Sequence, residues 1–181
     1  QNLRKIHPDF DELVRGILEK DREGKIIFVE SNFTEITKTL KLRLKVKLEA
    51  LAERIIFIKR LTPPDYLSLV YHADVVLDTI HFSGALTAYD TLGLGKPVVC
   101  LPEDLARSRY TYALCKELDL NELIATDNDS YINLAVKLAN DKVFNQEVSK
   151  KILSKVDKIF ENFSAVKELE DFFEMAIIGN L

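Results

Sequence analysis

The sequence predicts an α/β fold, a doubly wound, Rossmann-like parallel sheet with a helical C-terminal extension. Three observations carry that expectation. Short β-branched and aromatic runs alternate with helical stretches at the spacing of strand–helix–strand units. The runs lack polar alternation, as strands buried on both faces require. Residues 141–175 are helical in pattern with no strand between them. Successive strands joined by helices pack with right-handed crossovers, which puts helices on both faces of a parallel sheet.

The elements follow in order. His7-Pro8-Asp9 ends whatever precedes it, and Phe10, Leu13, Val14, Ile17 and Leu18 recur at helical spacing until Glu23-Gly24, predicting a helix from about Asp9 to Asp21. Lys25 to Glu30 reads as a buried strand, followed by a long helix from Thr34 to Ala52. Then come a strand at Arg54 to Ile58, a helix at Pro64 to Ala73, a strand at Asp74 to Asp78, a helix at Leu86 to Gly93 and a strand at Pro97 to Leu101. A helix from about Glu103 to Leu118, a short Leu123-Ile124-Ala125 strand and a helix from Ser130 to Ala139 complete the alternation. Within the second helix, Lys38, Lys41, Arg43, Lys45 and Lys47 alternate with leucines and valine at period two, a pattern foreign to a helix. It is read as a solvated face rather than a nucleic-acid patch.

With 181 residues the chain fits one domain of about 150 residues plus an appendage. Residues 1–140 form the expected domain, and 141–181 the helices that pack on it or bridge to a neighbouring one. An apolar share of 47% and a charged share of 30% exclude disordered and fibrous classes. No apolar stretch is long enough to span a membrane, and the N-terminus lacks a signal-peptide plan. Cys100 and Cys115 are too few for a disulfide framework and read as reduced thiols, so a cytoplasmic protein is expected. A net charge of −4 argues against nucleic acid as the partner. The chain opens Gln1-Asn2-Leu3 without methionine, which suggests a piece of something longer.

In such a sheet, ligands sit beyond the carboxyl ends of the strands. The loop from Thr79 to Thr87 is the most informative: a strand ends, Gly84 makes a tight turn, and a helix begins near Leu86. Free N–H groups and the positive end of the helix dipole there suit a diphosphate. Asp90 follows within the first turn, placed to accept hydrogen bonds from a ribose diol. A plain helix start explains the same residues. Gly93-Leu94-Gly95-Lys96 mimics a phosphate loop, but it follows a helix and precedes a strand, the reverse of the required order, and reads as a helix C-cap. Of the three histidines two are unclustered with acids, His72 reads as structural and His81 as a solvated loop residue, and no metal site is expected.

Arg54 to Phe57, Leu61-Thr62-Pro63-Pro64-Asp65-Tyr66-Leu67, Ala73 to Thr79, Gly84 to Asp90, Gly95 to Val99, Ser108-Arg109 and Leu123-Ile124-Ala125 occur in an order and with gaps that together resemble the C-terminal half of the O-GlcNAc transferase and SPINDLY-like glycosyltransferases. Gln1 to Asp9 resembles the segment that opens this half, and the bacterial relatives that carry tetratricopeptide repeats are the nearest in character. The resemblance implies a GT-B architecture, with this chain as the domain that binds the nucleotide-sugar, a UDP-sugar first and a GDP-sugar second. It implies an inverting transferase that needs no metal and glycosylates protein side chains. By analogy Lys5 neutralises the leaving diphosphate with help from Gln1 or Asn2, Tyr66 stacks on the base, and Leu61 or Thr62 reads the base edge. Gly84, Ala85, Leu86 and Thr87 hold the diphosphate, and Asp90 the ribose. Many members carry polar side chains where this chain has Ala85 and Leu86, which shifts the burden to backbone amides and Thr87. An N-terminal half and helical repeats are implied as missing partners, so the chain alone is expected to be inactive. The alternative is a non-catalytic α/β interaction module that has lost donor binding.

Overall fold

The computed structural model describes residues 2–179. Phe10, Leu13, Val14, Ile17 and Leu18 lie on one stripe of helix α1 (Phe10–Lys20), and all five are buried. Strand β1 (Ile26–Val29) pairs in parallel with β2 (Ile55–Ile58), Ile26 opposite Ile55. Between them, α2 (Thr34–Leu48) runs into a 3-10 turn over Glu49–Arg54.

The period-two run in α2 resolves into a helical one. Leu40, Leu44 and Leu48, spaced four apart, are buried, whereas Leu42 and Val46 stand in solvent. The basic residues between them are not a bare solvated face. Arg43 grips the buried Asp11 carboxylate through Nε and Nη2, both at 2.9 Å, and Lys41 and Lys47 reach Glu30 and Glu12.

After α3 (Pro63–His72), β3 (Val76–Leu77) pairs in parallel with β4 (Val98–Val99) across α4 (Leu86–Gly93). Gly95, at φ +69°, turns the chain from α4 into β4. This is the cap-and-turn role expected of the glycine pair. A parallel bridge joins Cys100 to Ile124, where a further strand was expected, and the segment between them holds a 3-10 turn at Ala106–Ser108 and α5 (Tyr110–Glu117) rather than one continuous helix. Helices α6 (Asn128–Asn140), α7 (Lys142–Leu153) and α8 (Phe163–Ile178) follow.

The one continuous sheet that a doubly wound layout calls for is not formed among the described residues. β1–β2 and β3–β4 are separate parallel pairs, and a cavity of about 610 Å³ lies between the facing edges of β1 and β3. β3 has two residues, and its short ladder is taken up by β4. Ile6, Phe10, Tyr66 and Val70 reach that cavity from the helical layers. The buried core nonetheless runs from Leu3 to Ile159 through both pairs. Helix α8 adds nothing to it: every residue from Phe163 to Ile178 is exposed. No helix among the described residues is long and apolar enough to cross a membrane.

Candidate functional site

Strand β3 delivers Asp78 to the carboxyl end of its pair, where the carboxylate is 3% exposed. Ser83 Oγ and the Gly84 N–H each donate to it at 2.6 Å. The Thr111 N–H donates to Ser83 Oγ at 3.0 Å, and the Tyr131 hydroxyl donates to the Asp78 carbonyl at 2.8 Å. Burial pushes the Asp78 carboxyl above the ordinary carboxylate range, against the pull of these donors. The network locks the turn after β3 in one shape. Lys5 lies on that turn: its Nζ donates to the Ser83 carbonyl at 2.8 Å and stands 4.3 Å over the Phe82 ring. Burial lowers the Lys5 pKa, and the Asp78 charge opposes the shift.

The turn departs from expectation at Gly84. Its N–H was expected to face a diphosphate, but it is spent on Asp78, because a buried carboxylate takes the nearest donors. The N–H groups of Ala85, Leu86 and Thr87, which open α4, have no acceptor among the described residues. These three amides form the donor set that a helix start leaves for an anion. Leu86 projects its side chain into solvent, 79% exposed, so it contributes its amide alone.

A cleft of about 330 Å³ adjoins this helix start, and Asn2, Leu61, Tyr66 and Thr87 line it together. Residues from three parts of the chain thus line one cleft. Tyr66, on α3, has its phenol pKa raised by burial and next by the neighbouring Asp90 carboxylate, so Asp90 lies close to the same ring. Asp90 itself is half-buried. Thr62 stands apart from the cleft. It is the N-cap of α3, its hydroxyl accepting from the Asp65 N–H and donating to the Asp65 carboxylate, and its carbonyl accepts the Tyr66 N–H. Of the two base-edge candidates, Leu61 alone lines the cleft. Gln1 lies outside the described residues.

Arg4 and Arg60 also line the cleft, with Phe33 stacked under the Arg4 guanidinium at 4.6 Å. Neither arginine carried a motif. The Asp78–Ser83–Thr111 network was missed as well, although an acid closing a strand five residues before Ser-Gly was a usable signal. His81 corrects the sequence reading: it is no solvated loop residue but bridges Glu103 at 2.6 Å and Asp9 at 2.9 Å through its two ring nitrogens. Its hydrogen bond with Asp9 raises its pKa, with burial opposing and Glu103 adding to the rise. His72 sits on α3, its ring against the Ser68 carbonyl at 2.8 Å.

A helix start with free amides, a lysine resting on the preceding turn and a cleft beside them define the class: an α/β domain with a cleft at the carboxyl edge of parallel strands, the place where such folds take small ligands. The chain belongs to glycosyl transferase family 41, whose family model it matches over residues 2–168. Over 77 residues it is 30% identical to a probable UDP-N-acetylglucosamine–peptide N-acetylglucosaminyltransferase SPINDLY of Petunia hybrida, a match covering 42% of this chain and 8% of that protein. Over 88 residues it is 32% identical to a UDP-N-acetylglucosamine–peptide N-acetylglucosaminyltransferase of Caenorhabditis elegans, covering 49% and 8%. The solved structure of an O-GlcNAc transferase mutant from Thermobaculum terrenum superposes with a TM-score of 0.83 at 24% identity, covering 93% of this chain and 33% of that one. That likeness establishes the fold. The matches span about 8% of the length of these curated relatives.

Proposed function

We propose that the chain is the donor-binding domain of an inverting, metal-independent glycosyltransferase that moves a sugar from a UDP-sugar to a protein hydroxyl. In this reading it is one half of a GT-B enzyme whose other half supplies the acceptor surface and the base. Residues 1–140 bind the donor, and the exposed apolar face of α8 docks on that other half. The observation that carries the reading is the shared cleft of Asn2, Leu61, Tyr66 and Thr87 beside the amides of Ala85, Leu86 and Thr87. The uracil stacks on Tyr66, Asp90 accepts from the ribose, and the diphosphate lies on the α4 amides. Lys5 exchanges the Ser83 carbonyl for the phosphate oxygens. As the acceptor hydroxyl attacks the anomeric carbon, charge develops on the departing diphosphate, where a preorganised cation and amides stabilise it more than they stabilise the ground state. The names of the relatives support UDP-N-acetylglucosamine as the donor and a peptide as the acceptor.

Calorimetric titration of the chain with UDP and with GDP tests this. Saturable binding of UDP, weakened at least tenfold in Lys5→Met and in Asp90→Ala with the fold intact, is the expected result. No binding of either nucleotide at millimolar concentration by the folded chain overturns it. The exposed apolar faces of Leu86 and α8 favour the second reading, an interaction module without donor binding, and that same null result is the one it expects.

A further inference from the structure

Beside the turn, but outside the donor cleft, three segments bring imidazoles and carboxylates together. We propose that His7, Asp9 and His81 form a binding site for a zinc-class transition metal, with Glu103 as the carboxylate that orients His81. The three residues offer ligand atoms that all lie within 4.8 Å of one another. Asp9 Oδ2 stands 2.9 Å from His81 Nε2 and 3.3 Å from His7 Nδ1. Ligands bound at about 2.0–2.1 Å in a tetrahedron sit about 3.3 Å from one another, so the apo spacing is already close to that of a metal shell. The competing contact at His7 Nδ1, an approach of 3.3 Å from the Asp9 N–H, is long and easily given up.

Glu103 supplies the outer partner that a metal-bound histidine takes. Its carboxylate accepts from His81 Nδ1 at 2.6 Å and keeps that proton in place, while an arriving metal ion displaces the Nε2 proton now donated to Asp9 at 2.9 Å and takes up both atoms as ligands. A carboxylate behind a ligating histidine is the recurrent outer partner of zinc sites. Two imidazoles and one carboxylate suit zinc and its neighbours in the transition series, whereas magnesium and calcium call for oxygen-rich shells. His7 and Asp9 are exposed and His81 is one-third exposed, which leaves a fourth position for water. A bound ion would clip the segment before α1 to the loop after β3, two residues ahead of Ser83, and through Glu103 to the loop after β4. It would brace the turn on which Lys5 rests, and it takes no part in sugar transfer.

The test uses the chain stripped of metal by a chelator. Zinc sulfate is titrated by calorimetry, and cobalt(II) is followed through its visible d–d bands. One zinc per chain, with intense tetrahedral cobalt bands that zinc abolishes and magnesium does not, is expected. His7→Gln and His81→Asn should each abolish stoichiometric binding, Glu103→Gln should weaken it by about 10- to 100-fold, and His72→Gln should leave it unchanged. Asparagine is chosen at 81 because His81 sits at φ +65°, a conformation asparagine tolerates. Circular dichroism reports the fold of each variant, and the exposed His7 carries the test if the position-81 variant unfolds. Absence of saturable zinc binding by the parent chain, or binding that survives both histidine substitutions, overturns the site. Nucleotide titration is read separately, so the donor reading stands or falls on its own.

Discussion

Arg43 and Asp11 illustrate how one residue can matter more than its place in a charge run suggests. The Asp11 side chain is fully buried, and both guanidinium nitrogens that meet it come from Arg43, which also donates to the Ile6 carbonyl at 2.9 Å. Removing one partner leaves a buried carboxylate uncompensated, so Arg43→Met should cost about 3–5 kcal/mol in urea unfolding. Restoring neutrality with Asp11→Asn in the same chain should recover part of that loss. Arg43→Lys should not, because a point charge cannot form the two-pronged contact. Asp127 contributes a pH dependence. It caps α6, accepting the Ser130 N–H at 2.7 Å, and that bond holds its carboxyl below the ordinary value. A depressed folded pKa stabilises the fold above the unfolded value of about 3.9, and that stability drains away as pH falls through the folded value. Asp127→Asn keeps a capping oxygen but loses the titration, so its stability profile should be flatter on the acid side, as read by denaturant midpoints between pH 6 and 3.

At the scale of elements, α2 is the sharpest case. Its sequence alternates every second residue, yet a helix buries every third or fourth, so the core selects Leu40, Leu44 and Leu48 and leaves Leu42 and Val46 outside. Leu44→Ala should therefore cost about 2–5 kcal/mol, while Leu42→Ala, one turn's face away, should stay within about 0.5 kcal/mol of the parent. Equal losses at both positions would mean that α2 does not pack as described. The turn from α4 to β4 makes a second expectation. Gly95 has a positive φ, and a Cβ there would stand 2.6 Å from Leu153 Cγ. Gly95→Ala meets both strain and overlap and should destabilise by more than about 1 kcal/mol by thermal unfolding.

Over the whole molecule, the buried core ends at Ile159, and α8 extends beyond it with Phe163, Phe172, Phe173 and Ile177 exposed. Because no residue of α8 is buried, deleting residues 163–181 should leave the unfolding midpoint of the remaining domain unchanged. The same deletion should reduce self-association in sedimentation runs, since an apolar helix face in water seeks cover. A large fall in the midpoint would show that α8 packs on the domain after all.

How much of this was legible in the chain varies with the range of the interaction. The period of apolar residues is a local property, so α1, α4 and α6 and the β1 and β2 runs could be read within a residue or two, and four of the residues that the family resemblance names, Asn2, Leu61, Tyr66 and Thr87, line one cleft. Long-range choices were not readable. How Thr111 and Tyr131 close on the Asp78 turn, and how Asp9, His81 and Glu103 meet, depend on elements far apart in sequence, whereas the Asp78–Gly84 bond and the Thr62 cap of α3 are local and were open to a closer reading. The sheet follows the same division. Local pattern determined that strands exist, but the division into two parallel pairs with a cavity between β1 and β3 was decided by tertiary packing, because whether two strand edges come within hydrogen-bonding distance depends on the layers packed around them and not on the strands' own residues.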